Sequence, residues 1–324
     1  MRNFFKGCYI SIIVIFLSSC GGGSSSTPAP PPAPPPTPPS STPPVCTLTS
    51  TQNTYYCTMT RKGLNRELYI YIPANYSENG SPVPLLFSLH GYTSRAIWNL
   101  GYTGFRSIAD EEGFIVIYPQ GSILPTTGQT HWNVGGWTTT STTDDIDFIE
   151  SLIDWTGANF NINLDRVYST GMSNGGFMSY HLVCNLSSKV AAIASVTGSM
   201  TPQTYNSCNP IHPTPILQIH GLDDGVVPYY GNSVSRPIPE VIEYWKNYND
   251  CSVMAVGDLI DANGDGYAGS VEIHEECLND VSVQSWVLSG LGHTWPSEPE
   301  ADIHAASVIW NFVKQYDING LINE

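Results

Sequence analysis

From Cys46 onward, short and almost wholly apolar runs alternate with stretches whose apolar residues recur at helical spacing. Glu67 to Ala74 (ELYIYIPA), Pro84 to His90 (PLLFSLH), Phe114 to Pro119 (FIVIYP), Arg166 to Thr170, Ala191 to Val196, Pro215 to His220 (PILQIH) and Val281 to Leu288 read as strands. Between them, Asp147 to Asn159 sets Phe148, Ile149, Leu152, Ile153 and Trp155 along one helical face. Further helices are predicted at Gly175 to Leu186, Glu240 to Tyr248 and Ala301 to Tyr316. Such alternation predicts an α/β fold, a mostly parallel central sheet flanked by helices on both faces. In that architecture reacting groups gather at the carboxyl ends of the strands.

The first 45 residues follow other rules. Residues 1–20 carry Arg2 and Lys6, then an apolar run from Tyr9 to Leu17, and end Leu17-Ser18-Ser19-Cys20-Gly21. The run is too short for a comfortable permanent span and predicts an export signal. Its end resembles the bacterial lipobox, which would make Cys20 the lipidated N-terminus. Residues 21–45, GGGSSSTPAPPPAPPPTPPSSTPPV, carry no charge and cannot build a core. As polyproline II at about 3.1 Å per residue they predict a semi-rigid tether of up to roughly 70 Å. The expected organisation is therefore a signal (1–20), a linker (21–45) and one folded domain (46–324). The expected location is a membrane-anchored lipoprotein on an exported face, or the extracellular space.

Composition narrows the partners. Charged residues make up only 12% of the chain, and 12 Lys+Arg against 28 Asp+Glu give a formal charge of −16. A surface of that sign repels a phosphate backbone, so no nucleic-acid partner is expected, and a monomer is. With Cys8 and Cys20 assigned to the signal, Cys46, Cys57, Cys184, Cys208, Cys251 and Cys277 remain. An even number in an exported chain predicts disulfides. Six cysteines allow 15 connectivities; the short-range choice is Cys46 with Cys57, Cys184 with Cys208 and Cys251 with Cys277.

Gly171-Met172-Ser173-Asn174-Gly175 is a G-x-S-x-G placed directly after a predicted strand and before a predicted helix. A serine hydroxyl becomes a useful nucleophile when a sharp turn projects it from the sheet, and the glycines let the backbone pass closely there. Ser173 is the candidate nucleophile. Carboxylates follow in His220-Gly221-Leu222-Asp223-Asp224-Gly225, and a histidine follows in Gly290-Leu291-Gly292-His293-Thr294-Trp295, each behind a predicted strand. Singly, an Asp-Asp-Gly turn or a lone histidine is ordinary. Together, in the order serine, acid, histidine, they predict a relay with His293 as base. Leu89-His90-Gly91-Tyr92 ends an early apolar strand, so the amides of Tyr92 and Asn174 are the candidate oxyanion donors. Trp132, Tyr229 and Trp295, with Tyr92 and Trp137, are candidate substrate contacts, with core packing the competing role for each.

The strings HGYTS, GMSNGG, HGLDDGVVPYYG and GLGHTWP resemble those of the secreted esterase family that joins feruloyl esterases, acetyl-xylan esterases and polyhydroxybutyrate-depolymerase-like proteins. The resemblance covers about residues 60–315 and implies an α/β-hydrolase fold and ester hydrolysis through an acyl-serine. It places the acid on Asp224, with Asp223 in a variable position. It implies no cofactor for catalysis. The Trp132-Asn133 to Asp144-Asp145-Ile146-Asp147-Phe148 segment also resembles the family, with structural carboxylates at a helix start. Tyr92 and His131 depart from its usual residues. Most directly the resemblance implies a feruloyl or related plant-polysaccharide ester as substrate; a polyester depolymerase and a non-catalytic surface binding protein on a hydrolase scaffold are the alternatives.

Residues 261–272 match the calcium-loop pattern D-x-[DN]-x-[DN]-G-x5-E. Side chains of Asp261, Asn263 and Asp265 and the Tyr267 carbonyl are predicted to converge on a structural calcium, with Gly266 at the turn and Glu272 closing the shell.

Overall fold

The computed structural model describes residues 40–297 and 301–322. The predicted signal, Cys20 and most of the linker lie outside the described residues.

Eleven strands form one sheet in the order β1-β2-β3-β5-β4-β8-β9-β10-β13-β12-β11. They are β1 (Thr42–Leu48), β2 (Thr54–Arg61), β3 (Leu64–Tyr71), β4 (Val83–Leu89), β5 (Ile115–Pro119), β8 (Ile162–Met172), β9 (Ala192–Val196), β10 (Ile216–Gly221), β11 (Val253–Asp258), β12 (Gly269–Glu275) and β13 (Val283–Leu288). Two-residue ribbons, β6 (Ser122–Ile123) with β7 (Thr130–His131) and β14 (Tyr316–Asp317) with β15 (Gly320–Leu321), stand apart. The run from β5 through β4, β8, β9 and β10 to β13 is parallel throughout, while the strands outside it pair antiparallel. The predicted central strands are all present, within a few residues of their expected ends.

The period of two along β4 decides which helix meets which face. Leu85, Phe87 and Leu89 join one core with Phe148, Ile149 and Leu152 of α3 (Asp145–Asn159), Met178 and Leu182 of α4 (Asn174–Asn185) and Val241 and Trp245 of α6 (Ile238–Tyr248). Leu86 joins the opposite core with Leu100 of α1 (Ala96–Tyr102), Phe105 and Ala109 of α2 (Phe105–Glu112) and Ile309, Trp310 and Phe312 of α7 (Ala305–Val313). A short α5 (Pro202–Ser207) completes the helices among the described residues.

Two boundaries differ from expectation. β1 begins at Thr42, so residues 42–45 belong to the sheet and not to the linker. Pro43 and Pro44 are tolerated because β1 is an edge strand whose register is interrupted between Thr42 and Val45. The last helix is shorter than predicted, because the chain enters it only at Ala305, where His304 accepts the Ser307 N–H as cap. All three predicted disulfides form: Cys46–Cys57, Cys184–Cys208 and Cys251–Cys277.

Candidate active site

Strand register sets the site. Gly171 of β8 lies beside Leu89 of β4 and Ser195 of β9, Ser195 beside Gln218 of β10, and Gly221 of β10 beside Leu288 of β13. The loops after β4, β8, β10 and β13 therefore leave the same edge of the sheet. Those four loops carry Tyr92, Ser173, Asp224 and His293.

Ser173 sits between β8 and α4 with φ 55° and ψ −121°, a conformation a side-chain-bearing residue adopts only under constraint. The constraint is close packing around the turn. A Cβ on Gly175 would lie 2.1 Å from the Leu89 carbonyl oxygen, and one on Gly171 would lie 2.6 Å from both that oxygen and the Gly175 carbonyl carbon. The G-x-S-x-G glycines are thus required by backbone approach to β4. The Ser173 N–H is spent on the Val196 carbonyl at 2.8 Å, which ties the elbow to β9.

On the acid side, Asp224 is buried. Its Oδ1 accepts the Val226 and Val227 amides at 2.9 and 2.8 Å, and its Oδ2 accepts His293 Nδ1–H at 2.8 Å. Burial pushes this carboxyl up, but the His293 hydrogen bond and the Val227 and Val226 amides outweigh it and hold the group below the usual carboxylate range. Asp223, by contrast, is exposed, and its N–H donates to the Leu291 carbonyl at 3.1 Å. That bond ties the acid loop to the histidine loop. Leu291 also crosses directly over β10, since a Cβ on Gly221 would fall 2.0 Å from its carbonyl oxygen. Between the two aspartates offered by the sequence, the structure brings Asp224 to the imidazole.

The His293–Asp224 half of the relay is formed. Among the described residues, no hydrogen bond joins the Ser173 hydroxyl to His293. Such bonds are commonly long before substrate binds.

Next to the elbow, a Cβ on Gly91 would stand 3.5 Å from Ser173 Cβ, so the loop after β4 abuts Ser173. Among the described residues, neither the Tyr92 nor the Asn174 N–H has a hydrogen-bond acceptor. His90 explains the posture of the first. Its Nδ1–H donates to the Gly91 carbonyl at 2.7 Å, and its Nε2 accepts from the Gly121 N–H and the Gln120 amide, both at 2.9 Å. Holding the Gly91 oxygen on one side directs the Tyr92 N–H of the same trans peptide to the other. Burial holds His90 well below the ordinary imidazole value, at about 4, so it stays neutral.

The predicted aromatic contacts divide. Trp132 is wholly buried, its indole N–H donating to the His90 carbonyl at 2.9 Å and its backbone held by both ends of the Asn174 amide. It is a brace between the oxyanion loop and the elbow, and not a substrate contact. Trp295 is also buried, edge-on to Tyr102 and Phe105, which anchors the histidine loop to the helical layer. Tyr229 remains half-buried, edge-on to His220, and Tyr92 packs edge-on against the half-buried Trp137. The carboxylates of the Asp144 to Asp147 stretch are structural, as expected. Asp144 caps α3 by accepting the Asp147 N–H, and buried Asp145 bridges Arg66 and the Asn133 N–H.

The calcium ligand set is not assembled as predicted. Glu272 lies on β12 opposite Val256, its carboxylate paired with His274. Asp261 instead accepts the Gly264 and Gly266 amides, and Asp265 accepts the Tyr267 amide and the Asn263 side chain. Among the described residues no three His, Cys, Asp or Glu side chains are grouped to hold an ion. The turn closes on its own amides, with Glu272 paired to His274.

A phospholipase/carboxylesterase family model matches residues 137–253, the stretch that holds Ser173 and Asp224. An acetyl xylan esterase from Aspergillus awamori superposes with a TM-score of 0.55 at 17% identity, covering 75% of this chain and 94% of that one. The architecture is the α/β-hydrolase fold. The chain is similar to a bifunctional acetylxylan esterase/xylanase of Neocallimastix patriciarum, 30% identical over 265 residues that make up 81% of this chain and 35% of the relative. It is also similar to feruloyl esterase B of Piromyces equi, at 27% identity over 78% of this chain and 46% of that protein. The chain thus spans less than half the length of either curated relative.

The bracing role of Trp132 was not legible in the sequence. Trp132 was in view, but nothing in a sequence pattern distinguishes an indole aimed at a carbonyl from one aimed at a ligand.

Proposed function

We propose that this protein is a serine carboxylic ester hydrolase acting on feruloyl, acetyl or related esters of plant polysaccharides. The observation that carries the reading is a buried Asp224 hydrogen-bonded to His293 on the sheet edge where Ser173 stands strained at its elbow. His293, oriented through Nδ1, removes the Ser173 proton during attack on the ester carbonyl. The Tyr92 and Asn174 amides receive the oxyanion, the alcohol departs with the proton returned by His293, and water activated by the same imidazole releases the acid. Tyr92, Trp137 and Tyr229 are half-exposed aromatics on, or packed against, the loops that carry these groups, and they would face the acyl or sugar portion. The acetylxylan and feruloyl esterase relatives support the substrate class.

Export and anchoring belong to the same reading. The lipobox-like end at Cys20 supports a tether at a membrane surface, and three disulfides are at home in an oxidising compartment.

The test is covalent labelling by a fluorescent organophosphonate together with turnover on methyl ferulate, acetylated xylan, hydroxybutyrate oligomers and an aromatic polyester. Labelling that vanishes in Ser173→Ala, with turnover on the first two substrates, is expected. Absence of labelling in wild type would overturn the hydrolase mechanism, and preference for either polyester would overturn the substrate class.

A further inference from the structure

We propose that His220 is a positioning residue that fixes the Asp224 carboxylate for His293, an inference that rests on the catalytic reading above.

His220 is the penultimate residue of β10, four positions before Asp224, and its side chain is wholly buried. Its Nε2 lies 2.8 Å from the Val227 carbonyl oxygen, which only accepts, so Nε2 carries the hydrogen. The other ring nitrogen is set independently. Gln218 donates its amide N–H to the Gly198 carbonyl at 3.0 Å and accepts the Tyr180 hydroxyl at 2.8 Å, which fixes the amide orientation. The same amide nitrogen stands 3.0 Å from His220 Nδ1, so Nδ1 accepts. A directed chain results, from the Tyr180 hydroxyl of α4 through Gln218 and His220 to the Val227 carbonyl.

Val227 is where this chain meets the relay. Its carbonyl is held by His220, while its N–H, with that of Val226, grips Asp224 Oδ1. With Oδ1 held, Oδ2 is presented to His293. His220 Nε2 also stands 3.6 Å from Oδ2, too far for a direct bond but close enough that a charge on the ring would be felt there. The titratable groups facing the ring are Asp224 from its own loop, His293 from the loop after β13, Tyr229 packed edge-on, and Tyr180 reached through Gln218. Burial pushes the His220 imidazole below its ordinary value. A neutral ring leaves the carboxylate's charge to His293. Neither function requires His220 to touch substrate.

The experiment compares wild type, His220→Phe and His220→Gln in the full chain, with rates divided by the fraction of sites that an organophosphonate titrates. Phenylalanine fills the volume and makes neither bond, whereas glutamine can still donate to the Val227 carbonyl. His220→Phe should lose about tenfold or more in kcat with little change in KM. The pH at which its kcat/KM falls to half of plateau should move down, because a displaced carboxylate favours the imidazolium less. His220→Gln should recover most of both. Equal losses in the two variants, or a lowered Tm with an unmoved pH profile, would overturn the positioning role. Failure of wild type itself to titrate at Ser173 would indict the catalytic reading instead.

Discussion

At the scale of single residues, the site depends on side chains that react with nothing. His90 aims the Tyr92 amide by holding the carbonyl of the same peptide unit, so His90→Phe should lower kcat about 10²-fold or more while leaving KM nearly unchanged, the size of effect when one oxyanion donor is misplaced. Burst titration and initial rates on methyl ferulate check this. The same histidine shapes acid stability. Unfolded, it takes a proton near 6.5; folded, burial delays that to about 4. Between those values the unfolded chain holds the extra proton, so stability is full above about pH 6.5, declines as pH falls toward 4, and levels off below. Thermal melts across pH 7 to 4 should show this slope in wild type and a flatter one in His90→Phe; parallel curves would contradict the buried neutral state.

At the scale of elements, the strand–turn–helix around Ser173 is held by absent side chains. In Gly175→Ala the new Cβ would stand 2.1 Å from a main-chain oxygen of β4, which cannot move without parting the central strands. Such a variant should yield little folded protein, whereas Gly257→Ala on the exposed edge strand β11, with nothing within 4 Å, should melt as wild type does. The turn between β11 and β12 makes the opposite point. Its acidic pattern satisfies a calcium signature, yet Glu272 is committed to His274 by the alternation of β12, which sets both side chains on one face. A spacing rule does not see that a strand has begun at Gly269. Chelator should therefore leave the Tm unchanged, and a chelator-sensitive transition would show that the shell forms without Glu272.

For the whole molecule, legibility followed burial. The central strands and α3, α4 and α6 were readable because burial imposes continuous apolar runs or a single apolar face, and the serine, acid and histidine were readable because each must end such a strand. The periphery was not. β1 contains Pro43 and Pro44, β11 is exposed at every position, and α1 and α2 are short helices divided by left-handed Gly104; their places are set by neighbours and not by a pattern of their own. Two of the disulfides lie at the edges of the sheet. Cys46–Cys57 joins edge strand β1 to its neighbour β2, Cys251–Cys277 closes the hairpin at the opposite edge, and Cys184–Cys208 links the ends of α4 and α5. Sequence separations of 11, 24 and 26 residues predict about 3 kcal/mol from each through the unfolded chain. Because β1 and β2 are separated from β8 by β3, β5 and β4, losing the first bridge should cost stability without disturbing the relay. The pair Cys46→Ser and Cys57→Ser should therefore melt several degrees lower yet turn over ester at the wild-type rate at 25 °C, as calorimetry and initial rates would register. A fully folded variant with depressed kcat would mean that the sheet edge reaches the active site through its core.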